Sequence, residues 1–181
     1  MINDNIEIRP LRENELKQFW QVAFSKPEAE WTRWNGPYFH DVLPSSDEFM
    51  NHIGPDKWLN NNLHWVILCN NQLVGSLSAY YEDGALERWL DVGIVIYNGN
   101  LWGYHIGSKS LRMWINHLFE DVTDLPHIGL TTWSGNKRMM KLADSLGMKL
   151  EGQIRQVRYW NGKYFDSIKY GILRSEWLRK T

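Results

Sequence analysis

Apolar and polar residues alternate through Ile6-Glu7-Ile8-Arg9, the period of a short half-buried strand. From Glu13 to Phe24 the period changes, and Leu16, Phe19, Trp20 and Ala23 fall on one helical face. An irregular acidic and aromatic stretch follows. Within it, Ser46-Asp47-Glu48 before Phe49 offers a helix start, and Pro55 before Lys57-Trp58-Leu59 marks a break. Leu63 to Cys69 and Gln72 to Tyr81 read as two strands, joined by Asn70-Asn71, residues that tolerate positive φ in a tight turn. After the Asp83-Gly84 turn, Arg88 to Tyr97 is apolar at nearly every second position and almost continuous over Val92–Tyr97, as in a mid-sheet strand.

Asn98-Gly99-Asn100 breaks this strand. A helix is then predicted to run to Glu120, because Leu111, Trp114, Ile115, Leu118 and Phe119 keep helical spacing. Ile128 to Thr132 is a short strand, Ser134 is a plausible cap, and Lys137 to Leu146 is a second helix ended by Gly147. Lys149 to Tyr159 and Tyr164 to Leu173 close the chain as long strands, linked by the hairpin signal Asn161-Gly162. The order β, helices, βββ, α, β, α, ββ predicts one mixed sheet with helices packed on it.

With 181 residues the chain suits a single compact domain. One cysteine, Cys69, permits no internal disulfide and reads as a buried thiol in a reducing compartment, so a cytoplasmic location is expected. Met1 to Arg9 carries charges where a signal peptide is apolar, and no window is apolar enough to span a membrane. The net charge of −1 hides an asymmetry: residues 1–100 carry 7 Lys/Arg against 14 Asp/Glu, and residues 101–181 carry 13 against 7. A cationic half suits a phosphorylated ligand, but its charges are scattered, which argues against long nucleic acid as a partner. No metal is expected, since the six histidines never pair at ligand spacing and a single cysteine builds no zinc site.

The informative segment runs from the apolar strand into Trp102-Gly103-Tyr104-His105-Ile106-Gly107-Ser108, which opens a helix. A glycine-bearing turn into a helix start presents unpaired N–H groups and the positive end of the helix dipole, a setting that holds phosphates. The segment lacks the Gly-Lys-Ser/Thr of a P-loop and the third glycine of a dinucleotide fold.

The order of elements, together with Ile8-Arg9-Pro10-Leu11, Trp102 to Gly107, Asn136 and Leu146-Gly147-Met148-Lys149-Leu150-Glu151-Gly152, resembles the GNAT superfamily of acyl-CoA-dependent N-acyltransferases. The branch it looks most like holds the ribosomal-protein N-terminal acetyltransferases. Arg155, Asp166 and Tyr170-Gly171-Ile172-Leu173 before Glu176-Trp177 share that likeness. The resemblance implies an α/β (α+β) fold: a single mixed, mostly antiparallel sheet of about seven strands flanked by helices, one domain over residues 1–181. It implies acetyl-CoA as co-substrate. Its pantetheine arm would lie in a wedge between the fourth and fifth strands, near Val95, Ile96 and Tyr97, with its pyrophosphate on the N–H groups of Trp102, Gly103, Tyr104, His105, Ile106, Gly107 and Ser108. Asn136 would contact the arm, with Lys109, Arg112, Lys137 and Arg138 close behind the two helix starts. His105 stands where the family has its first glycine, and carries a cost if positive φ is required there.

The tyrosine acid of many members is replaced by Ala143, and a serine of the branch by Met139. For the base, the resemblance points to Asp91, two residues before Gly93, with Glu87 as a second carboxylate. The amine acceptor, a small molecule or a peptide N-terminus, would meet Trp31, Trp34 and Tyr38, with Trp58, Trp65, Glu28, Glu30 and Asp41 nearby to favour a cation. A non-catalytic acyl-CoA-binding or sensing module of the same fold is the alternative, and a nucleotide- or phosphosugar-binding α/β protein a third. A homodimer is compatible with all of these; no membrane partner is expected.

Overall fold

A computed structural model describes residues 5–122 and 124–179; residues 1–4 of the charged N-terminal stretch lie outside the described residues. Seven strands form one sheet: β1 (Ile6–Pro10), β2 (His64–Cys69), β3 (Gln72–Tyr81), β4 (Leu90–Ile96), β5 (His127–Trp133), β6 (Lys149–Trp160) and β7 (Lys163–Leu173). Their spatial order is β1-β2-β3-β4-β5-β7-β6. Every neighbouring pair is antiparallel except β4 and β5. Asn70 and Asn71 (φ 51° and 63°) and Asn161 and Gly162 (φ 46° and 75°) take the left-handed conformation at both central positions, so their turns match the twist of the strands they join.

The helices are α1 (Leu16–Ala23), α2 (Ser46–Glu48), α3 (Gly54–Lys57), α4 (Ile106–His117), α5 (Lys137–Ser145) and α6 (Arg174–Trp177). Three expectations need correcting. Pro55 does not break the second helical region, because a wide π turn over Phe49–Ile53 joins α2 to α3 and leaves Pro55 in the first turn of α3, where its missing N–H is not needed. The long helix is α-helical only to His117 and ends in a π turn over Leu118–Val122. The cap of α5 is Asn136, whose Oδ1 accepts from the Met139 N–H at 3.1 Å, whereas the Ser134 hydroxyl accepts from the Asp166 N–H.

Strand β2 is covered on both faces, which explains its near-continuous apolar run. On one face Ile67, Leu77, Leu90, Val92, Ile128 and Leu130 pack against Leu111, Trp114 and Ile115 of α4 and against Ala143 of α5. On the other, Val66, Leu68 and Tyr97 pack with Leu16 and Phe19 of α1, Phe49 and Trp58. Trp114 is fully buried, so its removal to Ala would cost about 3–5 kcal/mol.

The parallel pair is short. Only Leu90↔Ile128 and Asp91↔Gly129 are in register; beyond them β4 and β5 diverge.

Candidate active site

The split opens into a cleft of about 940 Å³ that passes through the sheet. On the α4 face its walls are Ile94, Ile106, Gly107, Met139 and Leu142; on the α1 face they are Trp31, Trp34, Tyr80, Gly93, Thr131 and Trp133. The alternation of an antiparallel ladder decides which backbone groups of β4 face the gap. Tyr97 donates its N–H to Val74 O (3.0 Å) and Trp89 O accepts from Glu82 (2.8 Å), so odd residues of this stretch bond back to β3. Ile94 and Ile96 therefore point toward β5, where the paired register has ended. The Trp102 indole supplies one partner there, donating to Ile96 O at 3.0 Å.

Of the three strand positions expected to pair with a cofactor arm, only Ile96 has its backbone turned into the gap. Val95 lines the cleft, but its ladder bonds run to β3. Tyr97 is a core residue: its side chain is 8% exposed and its hydroxyl bonds Ser76 Oγ at 2.7 Å. Ile94, which periodicity alone did not single out, belongs with Ile96; strand parity was the available signal.

Between β4 and α4 the chain makes a tight turn over Gly99–Leu101 and then takes two left-handed residues, Gly103 (φ 89°) and His105 (φ 63°). The substituted glycine position does require positive φ. Trp102 spends its N–H on Gly99 O, and the first bond of α4 runs from the Lys109 N–H to His105 O. The N–H groups of Ile106, Gly107 and Ser108 precede that bond and have no place in the helical ladder. Gly103, His105, Ile106, Gly107 and Ser108 line the cleft with Trp102, whereas the Tyr104 side chain is turned out to solvent.

A loop from the N-terminal part straps across this opening. Trp34 O accepts from Trp133 Nε1 and from Asn136 Nδ2, both at 3.1 Å. The Arg138 guanidinium lies 4.9 Å from the Trp34 ring and 4.5 Å from the Trp102 ring, joining the loop to both cleft walls. Glu30 also lines the cleft, while Glu28 and Asp41 are exposed away from it. Trp31 is mostly buried against Tyr97 but reaches the cleft. Tyr38 packs edge-on to Trp133, under Arg158. Trp58 and Trp65 do not reach this wall: Trp58 packs on Phe19, and Trp65 lies against Trp114 and His117 on the opposite face.

Asp91 sits behind the α1-side wall, 1% exposed, and accepts from Thr131 Oγ1 at 2.6 Å. A Cβ at Gly129 would overlap its Oδ1, so only glycine admits the carboxylate to that place in the sheet. Lys169 Nζ donates to Thr131 Oγ1 at 3.0 Å and lies 3.5 Å from Glu82 Oε1. Burial raises the Asp91 carboxyl above its ordinary range; Thr131 and Lys169 oppose the rise, and Glu82 adds to it. Burial, with the Asp91 charge beside it, likewise raises the Tyr80 hydroxyl. Glu87 takes a left-handed conformation (φ 50°) on the exposed β3–β4 turn, outside the cleft lining. The second carboxylate near Asp91 is Glu82, which spacing did not reveal because the turn folds back onto the strand.

A mixed sheet split between its parallel strands, with an open helix start at the split, is a setting for a ligand that carries both amides and phosphate. Residues 5–149 match the Acetyltransferase (GNAT) domain family, and the chain belongs to that family and is an acyltransferase. It is 24% identical over 183 residues to "Putative ribosomal N-acetyltransferase YdaF" of Bacillus subtilis (strain 168), covering 97% of this chain and 95% of that one. Among solved structures, its fold is similar to spermidine N-acetyltransferase from Vibrio cholerae in complex with CoA and spermine (TM-score 0.75, 19% identity, 96% of this chain and 98% of that one). It is also similar to RimL, the ribosomal L7/L12 α-N-protein acetyltransferase in complex with coenzyme A (TM-score 0.73, 21% identity, 93% of each chain). Among the described residues no helix is long and apolar enough to cross a membrane, and no cluster of metal-ligating side chains occurs.

Proposed function

We propose that this chain is an N-acetyltransferase that moves the acetyl group of acetyl-CoA to a primary amine, on a small molecule or a peptide N-terminus, by direct attack with both substrates bound. The whole chain acts as one catalytic domain in this reading, in the cytoplasm. One observation carries it: the β4–β5 split joins the open first turn of α4 on one face of the sheet to an aromatic, acidic chamber on the other.

The N–H groups of Ile106, Gly107 and Ser108 receive the diphosphate at the positive end of α4. Ile94 and Ile96 offer backbone groups to the amides of the arm, and Asn136 Nδ2 can meet them by leaving Trp34 O. Holding amine and thioester at attack distance removes about 7–11 kcal/mol of the barrier. A backbone N–H of β4 aimed at the thioester oxygen contributes about 3 kcal/mol more. Trp31, Trp34 and Glu30 surround the incoming cation, while Tyr38 stands behind Trp133, under Arg158 and outside the cleft lining. Asp91 takes one proton from the ammonium. The neutral nitrogen then forms the C–N bond as the C–S bond breaks, and the nitrogen's second proton passes to the thiolate. No tyrosine acid is needed at position 143, where Ala143 is buried in the core.

Titration calorimetry with acetyl-CoA, followed by thiol release across polyamines, aminoglycosides, amino acids and peptides, tests this reading. Micromolar binding and turnover with one amine class are expected; no heat at millimolar acetyl-CoA would refute it. A homodimer is part of the reading and is measured by sedimentation velocity.

A further inference from the structure

Asp91 is almost fully buried, so no substrate nitrogen touches it. Two hydroxyls stand between it and the cleft. Thr131 lines the cleft and donates to Asp91 Oδ2 at 2.6 Å. Tyr80 lines the cleft and is the cross-strand neighbour of Asp91. Glu82 reaches the same cation: Lys169 Nζ lies 3.5 Å from Glu82 Oε1 and donates to the Thr131 hydroxyl that holds Asp91, so the two carboxyls flank one ammonium group.

We propose that Asp91 and Glu82 act together as the proton acceptor of the reaction, and that Thr131 and Tyr80 are the hydroxyls that touch the substrate and relay its proton to them. This rests on the amine-acetylation reading. The step balances. The ammonium N–H passes its proton to a hydroxyl oxygen as that hydroxyl's own proton moves to a carboxylate. The amine is left neutral, the hydroxyl unchanged and the carboxyl pair one proton richer. Lys169, 3.0 Å from Thr131 and 3.5 Å from Glu82, offsets the negative charge of the pair before the transfer.

Asp91, unlike Glu82, also has a way out to solvent. Asp91 and Lys169 line a second cavity, of about 250 Å³, with Trp89, Glu151 and Tyr170 on the far side of Thr131 from the cleft. A proton collected from the amine can leave there without recrossing the bound substrates. The other titratable groups facing this array are His127, which pairs with Glu151 at 2.8 Å beside Gly129, and Tyr38, next to Tyr80.

The test compares wild type with Glu82→Gln, Asp91→Asn, Thr131→Val and Thr131→Ser. Acetyl-CoA affinity by calorimetry verifies that each variant is folded, and kcat is then followed against pH with the best amine. Wild type should lose rate toward acid as the pair fills. Glu82→Gln should lower kcat about 10–100-fold and move the acid limb to lower pH, because Asp91 loses the neighbour that favours its protonation, with acetyl-CoA affinity unchanged. Thr131→Val should lower kcat by a similar factor, and Thr131→Ser should restore it within about threefold, since a shorter hydroxyl still relays. Turnover by Glu82→Gln with the wild-type kcat and acid limb overturns the pair while leaving the acetyltransferase reading intact. Wild type that turns over no amine overturns that reading, and the relay with it.

Discussion

His105 holds a backbone conformation that a side chain resists. Its φ of 63° and ψ of 9° lie in the left-handed region, and its ring makes no capping hydrogen bond to α4. A residue with a Cβ pays about 1–2 kcal/mol there. Replacing it by glycine removes that strain but returns about 0.5–1 kcal/mol through the greater freedom of the unfolded chain. The expected net effect of His105→Gly is a gain of about 0.5–1 kcal/mol, which is about 1–4 °C in Tm for a chain of this length. His105→Ala keeps the strained backbone and should gain nothing, so the order of stability is Gly above His, and His equal to or above Ala. Thermal and urea unfolding of the three proteins measures this. Acetyl-CoA affinity should be the same within about twofold for Gly and His, because the donors there are main-chain groups. A His105→Gly protein that melts below wild type, or no higher than His105→Ala, would refute the argument.

Gly129→Ala forces a methyl into Asp91 Oδ1 inside the sheet and should cost about 1–3 kcal/mol in urea unfolding, together with a loss of acetyl transfer. Tyr97→Phe leaves the buried Ser76 hydroxyl without its partner and should cost about 1–2 kcal/mol, yet acetyl-CoA titration should be unchanged because Tyr97 faces away from the gap. Glu15, bonded to Arg9 at 2.7 Å, is held below its ordinary carboxyl range chiefly by that side-chain bond. Its contribution is present above the unfolded value of about 4.3 and is lost as pH falls through the lower folded value. Glu15→Gln should therefore unfold at lower urea than wild type at neutral pH, with the difference closing as pH falls below the ordinary carboxyl range.

The strands could be read from sequence because their cues are local. Asn70-Asn71 and Asn161-Gly162 fix two hairpins on their own, and the alternation of β3 needs no knowledge of its neighbours. The helix ends were less legible: whether Pro55 stops a helix depends on the π turn before it, which is set by packing of Gly54 against Leu16 and Phe49. The turn from Trp102 to Ser108 was recognisable through its glycines and its place after an apolar strand. The wall beneath the acceptor chamber was not. Tyr80, Glu82, Asp91, Thr131 and Lys169 come from four separate strands and a turn, and only cross-strand register places them together. Glu87 was the nearer carboxylate in spacing to a strand start, but a left-handed turn carries it outward, whereas Glu82 is fastened to Trp89 by its own N–H.

Two rungs of parallel pairing join what are otherwise two antiparallel blocks, β1–β4 and β5–β7–β6. Along most of that seam the blocks are bridged from outside, by helices on one face and by the Trp34 strap on the other. Any guest whose own amides mend the ladder there would stitch the halves together, so occupancy should be felt as rigidity in the distant hairpin as well as at the seam.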